Sequence, residues 1–116
     1  MASYIDHLDC TVCGKSYPHK QLIGISPCCE KVLFARYDLA KLGREVDRDS
    51  LASRPDSMWR YAELLPVDDP SNIVTLGEGG TPLIKSRNLA QQLGMRNLFI
   101  KDEGLNPTGT FKARGI

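Results

Sequence analysis

A chain of 116 residues that is 41% hydrophobic and 25% charged has the make-up of an ordinary globular protein and room for about one domain. Fifteen basic and fourteen acidic residues leave a net charge of +1 without a run of either sign, which excludes the electrostatic footprint of a nucleic-acid or acidic-membrane binder and points to a small-molecule partner. No apolar run nears the roughly 20 residues that cross a bilayer, and Met1-Ala2-Ser3-Tyr4 lacks the charged and then apolar lead of a signal peptide, so a cytoplasmic protein with no membrane partner is expected.

Taken in chain order, His7 to Asp38 reads as short extended pieces around two cysteine-bearing turns, Cys10-Thr11-Val12-Cys13-Gly14 and Ser26-Pro27-Cys28-Cys29-Glu30. In a reducing compartment such thiols stay free or bind metal. The first turn has the CxxCG spacing that brings two thiolates to one tetrahedral ion, with a glycine free to take the positive dihedral of the tight turn. The second departs from that spacing. Its cysteines are adjacent, Ser26 stands where a first ligand would align with Cys29, and neighbouring side chains in extended backbone point to opposite faces. Two readings therefore stand together: Cys10, Cys13, Cys28 and Cys29 hold zinc, or they are ordinary packed thiols in a small lead-in without metal. His7 and His19 are expected to face solvent and to stay outside either arrangement.

Val32 to Tyr37 is β-prone and closes the lead-in, and Asp38 is placed to cap a helix whose stripe is Leu39, Leu42 and Val46, although Gly43 inside it costs about 1 kcal/mol against alanine. The charged stretch to Pro55 reads as a connector. A second helix is predicted from Asp56 through Leu65, ended by Pro66, with Trp59 and Tyr61 as an aromatic pair packing it against the downstream domain. Gly77-Glu78-Gly79-Gly80-Thr81-Pro82 is a bend whose glycines let backbone approach something closely. It does not have the strand-then-helix setting of a phosphate-binding loop. Ser86 is predicted to cap an amphipathic helix closed by Gly94, and Asn97 to Lys101 returns as a strand.

Asn106-Pro107-Thr108-Gly109 then breaks the strand, and Thr110 is placed to cap a turn of Phe111, Lys112 and Ala113. A cation at a helix N-terminus beside a second cation, Arg114, is disfavoured, and both effects push the Lys112 amine toward its neutral, nucleophilic form.

The stretch NPTGTFKARG resembles the cofactor-lysine motif of the pyridoxal-phosphate-dependent fold type II (tryptophan-synthase-like) enzymes, the threonine synthase family above all. GEGGTPLIKSRNLAQQLG, Gly77 to Gly94, is similar to the segment that precedes that motif in the same family, and the cysteine region with ARYDL, Ala35 to Leu39, is similar to a zinc-ribbon-like lead-in that some members carry. The resemblance implies an α/β fold, three-layer α/β/α when complete, with a lead-in over 1–38, a helical connector over 39–70 and the start of the cofactor-binding domain over 71–116. It implies that Lys112 is catalytic and cofactor-binding, that Phe111 packs close to the pyridoxal phosphate, and that zinc is the second candidate cofactor. The implied reaction converts O-phosphohomoserine, an amino-acid phosphate, and water to threonine and phosphate, with self-association left open. Another fold type II lyase such as threonine dehydratase shares the lysine motif, and a small metal-stabilised binding module is the reading of a different class. Because Ile116 follows Lys112 by four residues, the chain is expected to be a truncated product without activity of its own.

Overall fold

In the computed structural model, residues 3–115 are described. Met1, Ala2 and Ile116, on which the readings of the two chain ends lean, lie outside them. The chain divides into two compact units, one formed by residues up to 54 together with 61–73, the other by 55–60 together with 74 onward. Among the described residues no helix is long and apolar enough to cross a membrane.

The first unit is built on a three-stranded antiparallel sheet in the order β2-β1-β3, with β1 at Ile5–Cys10, β2 at Ser16–Pro18 and β3 at Leu33–Tyr37. Leu8 sits opposite Tyr17 on one side and Ala35 on the other, and Cys10 pairs with Leu33, so β1 runs down the middle and delivers Cys10 to the sheet end. Burial in β3 alternates as the two-residue period requires, Leu33, Ala35 and Tyr37 being half-buried while Phe34 and Arg36 are exposed. Asp38 caps the next element, α1 at Leu39–Glu45, by accepting from the Lys41 amide at 2.8 Å, and Gly43 is tolerated inside it. The predicted connector carries structure of its own, a 3-10 turn over Arg48–Ser53 capped by Asp47. Arg54 then forms a bidentate pair with the buried Glu63 carboxylate at 2.8 Å for each contact, and Glu63 returns its carbonyl to the Tyr4 amide at 2.9 Å.

The helix predicted from Asp56 to Leu65 is not continuous. Met58–Leu64 is 3-10 in character and breaks at Tyr61 (φ −109°, ψ 33°), which is also where the chain leaves one unit for the other. The aromatic pair separates accordingly. Trp59 donates its indole N–H to Glu78 Oε1 at 2.9 Å, whereas Tyr61 is half exposed.

In the second unit, β4 at Leu83–Lys85 pairs antiparallel with β5 at Phe99–Lys101, Ile84 opposite Ile100, and α2 at Arg87–Gln92 lies between them in sequence. Mixed α/β structure is thus present, but these two strands form a ribbon and not a parallel crossover pair. Ser86 occupies the N-cap position of α2 without making a side-chain cap bond, so the predicted cap is geometric only, while Gly94 at φ 64° ends the helix as expected.

The candidate lysine loop and cysteine cluster

The glycine bend owes its composition to docking on its own unit. Gly79 and Gly80 both have positive φ, and a Cβ on either would collide with backbone of residues 56–58. The backbone that the bend approaches closely is therefore Asp56 to Met58, and the Met58 amide donates to the Glu78 carbonyl at 3.0 Å. Burial pushes the Glu78 carboxyl up, but donors from its own and the Leu76 amide, the Thr75 hydroxyl and the Trp59 indole outweigh it and hold the group below the usual carboxylate range.

The loop carrying Lys112 is organised by Glu103, a carboxylate to which local sequence alone assigns no role. It accepts from Arg114 Nε at 2.6 Å and Nη2 at 2.9 Å, from the Thr81 hydroxyl at 2.5 Å and from Asn106 Nδ2 at 3.0 Å. The Arg114 fork, then Thr81 and Asn106, bring its carboxyl down to about 2. Asn106, itself buried, accepts from the Gly79 amide at 3.1 Å through Oδ1, and Lys101 Nζ donates to the Thr81 carbonyl. Glycine bend, β5 and lysine turn are thereby one hydrogen-bonded frame. The Asn106 to Gly109 turn closes with the Gly109 amide on the Asn106 carbonyl at 2.7 Å, Gly109 taking φ 69°. Thr110 caps as predicted, its hydroxyl accepting from the Lys112 amide at 3.2 Å at the start of a four-residue 3-10 turn, Phe111–Arg114. Two expectations are corrected here. The element is a single 3-10 turn, and Arg114, neutralised by Glu103, is no free like charge beside Lys112. Lys112 and Phe111 are both exposed, and among the described residues the Lys112 amine makes no hydrogen bond or ion pair.

At the other site, Cys10 at the end of β1, Cys13 in the first turn, and Cys28 and Cys29 in the second bring their Sγ atoms within 4.8 Å of one another. The obstacle expected for adjacent cysteines vanishes because residues 27–29 form a turn and not extended backbone. The Ser26 hydroxyl, followed by the Cys13 and Val12 amides, brings the Cys10 thiol down to about 6, and the neighbouring Cys13 sulfur pushes the Cys29 thiol up to about 12. The approach of Cys28 pushes the Tyr17 phenol up to about 12 while Tyr17 lowers Cys28, yet the contact falls short of a formed bond, since the buried Tyr17 Oη has no partner. His19 stays outside the cluster as expected and is half-buried, its Nδ1 2.8 Å from the Asp6 carbonyl and its Nε2 3.2 Å from Asp68. His7 lies between Asp6 and Asp9.

Residues 74–116 match the family of pyridoxal-phosphate dependent enzymes. The chain is 44% identical over 107 residues, 92% of its length, to a threonine synthase of Methanocaldococcus jannaschii, and 41% identical over 110 residues, 95% of its length, to one of Methanosarcina acetivorans. It is 52% identical over 62 residues, 53% of its length, to a threonine synthase of Mycobacterium bovis, covering 17% of that protein. The chain spans about a quarter of the length of the two archaeal relatives, 26% in each case. No solved structure matches it.

Proposed function

From the match of residues 74–116 to the family of pyridoxal-phosphate dependent enzymes, we propose that the chain is a part of a threonine synthase, a carbon-oxygen lyase that acts on a phosphorylated substrate. The full protein converts O-phosphohomoserine and water to threonine and phosphate in the cytoplasm, on a fold type II domain of three α/β/α layers. The observation that carries the reading is the lysine frame: an amine, Lys112, without a partner among the described residues, set on a turn that Glu103, Thr81, Asn106 and Arg114 hold to β5 and the glycine bend.

The cofactor fits that amine. A primary amine free of competing partners is the donor that an aldehyde cofactor needs. Pyridoxal phosphate, when bound, supplies the electron sink for carbanion chemistry on an amino acid. Lys112 Nζ would hold the cofactor and then carry protons between substrate positions. Phe111, 64% exposed beside it, offers an apolar face to the ring. Asn106 and Thr110 keep the turn that aims Lys112. Borohydride treatment of the full-length protein loaded with pyridoxal phosphate, followed by peptide mapping, is expected to leave the pyridoxyl label on Lys112. A label on another amine, or none, overturns the assignment.

The cysteine unit we read as a zinc ribbon. Tetrahedral Zn–S bonds of about 2.3 Å place sulfurs about 3.8 Å apart, a spacing that the four Sγ atoms, all within 4.8 Å, can reach. The unit's need for such a tie also supports the reading. Among the described residues Cys10 is the buried hydrophobic residue of its sheet, while Val12, Ile25, Val32 and Phe34 are all more than half exposed, and a domain this small seldom stands without a staple. Elemental analysis of protein purified without chelator is expected to return one zinc per chain.

A further inference from the structure

The two cysteine turns share one backbone skeleton. In the first, the Cys10 amide donates to the Lys15 carbonyl at 2.9 Å and the Gly14 amide to the Cys10 carbonyl at 3.0 Å. In the second, the Ser26 amide donates to the Lys31 carbonyl at 2.7 Å and the Glu30 amide to the Ser26 carbonyl at 2.8 Å. Gly14 and Glu30 both take positive φ, 71° and 53°. Superposed by these bonds, Ser26 falls on Cys10, Cys28 on Val12, Cys29 on Cys13 and Glu30 on Gly14. Val12 and Cys28 are both exposed, but where Val12 offers no ligand atom Cys28 lies with its Sγ 3.3 Å from that of Cys13.

We infer that Ser26 is the positioning residue of the cysteine site: it stands in the place of a first ligand and holds the Cys10 sulfur by a hydrogen bond, while Cys28, two residues on, supplies the fourth sulfur in its stead. This rests on the metal reading above. Ser26 is fully buried, and its Oγ lies 3.3 Å from Cys10 Sγ. The same oxygen accepts from the Lys31 amide at 3.1 Å. With the thiol protonated, Cys10 donates to Ser26. Once Cys10 is a metal-bound thiolate the direction reverses, and the hydroxyl, with one lone pair already committed to Lys31, has its proton free to donate to sulfur. A Cys₄ site on a divalent ion carries net negative charge, and a buried donor to one thiolate disperses it and fixes that ligand's direction.

The test uses the full-length protein and cobalt(II) alone as the probe. The wild type is expected to give the ligand-field spectrum of four-sulfur tetrahedral coordination. Ser26→Ala is expected to keep four sulfurs, to bind cobalt about 10–100-fold more weakly, and to move the sulfur-to-cobalt charge-transfer band to longer wavelength, because a thiolate without its donor gives up an electron more easily. A purely structural role would weaken binding and leave the band in place. Cys28→Ala is expected to lose the four-sulfur spectrum, and the Cys28→Ala, Ser26→Cys double variant to regain it. An unmoved band in Ser26→Ala, whether or not cobalt binds more weakly, overturns the donor role, and failure of the double variant to regain the spectrum overturns the shifted register. A wild type that takes up no cobalt instead overturns the metal reading itself, and this inference with it.

Discussion

The two units bring functional atoms together by opposite means. The sheet of β1, β2 and β3 draws four sulfurs from two turns into one place and buries hardly any apolar surface in doing so. The lysine unit keeps its amine apart from every partner among the described residues and spends its polar groups on the frame behind it, with Glu103 at the centre. Convergent donors with little core hold their geometry only when something occupies the middle. A frame satisfied by its own hydrogen bonds needs no occupant to hold its geometry.

The sharpest way to break this contrast is to remove the occupant. Chelation of the full-length protein, or Cys13→Ser, is expected to cost the amides of β1 and β3 at least about 100-fold in hydrogen-exchange protection while the Asn106 and Gly109 amides keep theirs. Equal loss in both places would show that the lysine frame depends on the cysteine sheet. Next in size is the frame's own hub. Glu103→Gln removes the charge that pairs with Arg114, and roughly tenfold faster exchange is expected at the amides of 106–113 with the β1 and β3 amides unmoved.

Acid tests the same hub without mutation. Glu103 titrates at about 2 in place of the ordinary 4.5, so its contribution is fully present above pH 4.5 and is lost as pH falls toward 2. Exchange at 106–113 is expected to rise across that window in the wild type and to show no such limb in Glu103→Gln. The smallest effects compare the two helices. Asp38→Ala removes a formed cap from α1 and is expected to cost about 1 kcal/mol in chemical denaturation. Ser86→Ala at α2, where no cap bond exists, is expected to change stability by less than about 0.5 kcal/mol.

How much the sequence disclosed depends on the range of the forces involved. Asp38, Thr110, Gly94 and Gly109 act on neighbours within a turn, and their roles could be read from local chemistry. The Lys112 motif was legible as a motif. Its support was not, because Thr81, Glu103 and Arg114 meet across 33 residues of chain, and no periodicity encodes that meeting. A signal existed nonetheless: an acidic residue shortly before a turn and an arginine two residues past the lysine are an ion pair in waiting. The continuous helix from Asp56 fails for a similar reason. Met58 and Trp59 are claimed by Glu78 from one unit, while Glu63 is claimed by Arg54 and Tyr4 in the other, and the backbone yields between them at Tyr61. For the adjacent cysteines strand geometry is the wrong standard, because their segment is a knuckle.

The fit of Gly79 and Gly80 against residues 56–58 makes those few residues a splice: the chain enters the lysine unit at 55, leaves it at 61 and re-enters at 74. No single scission can therefore yield both halves whole. A protease that nicks between 60 and 74 would leave residues 55–60 attached through one end only, and whoever wishes to transplant the lysine half into another protein must carry that short insert along with it.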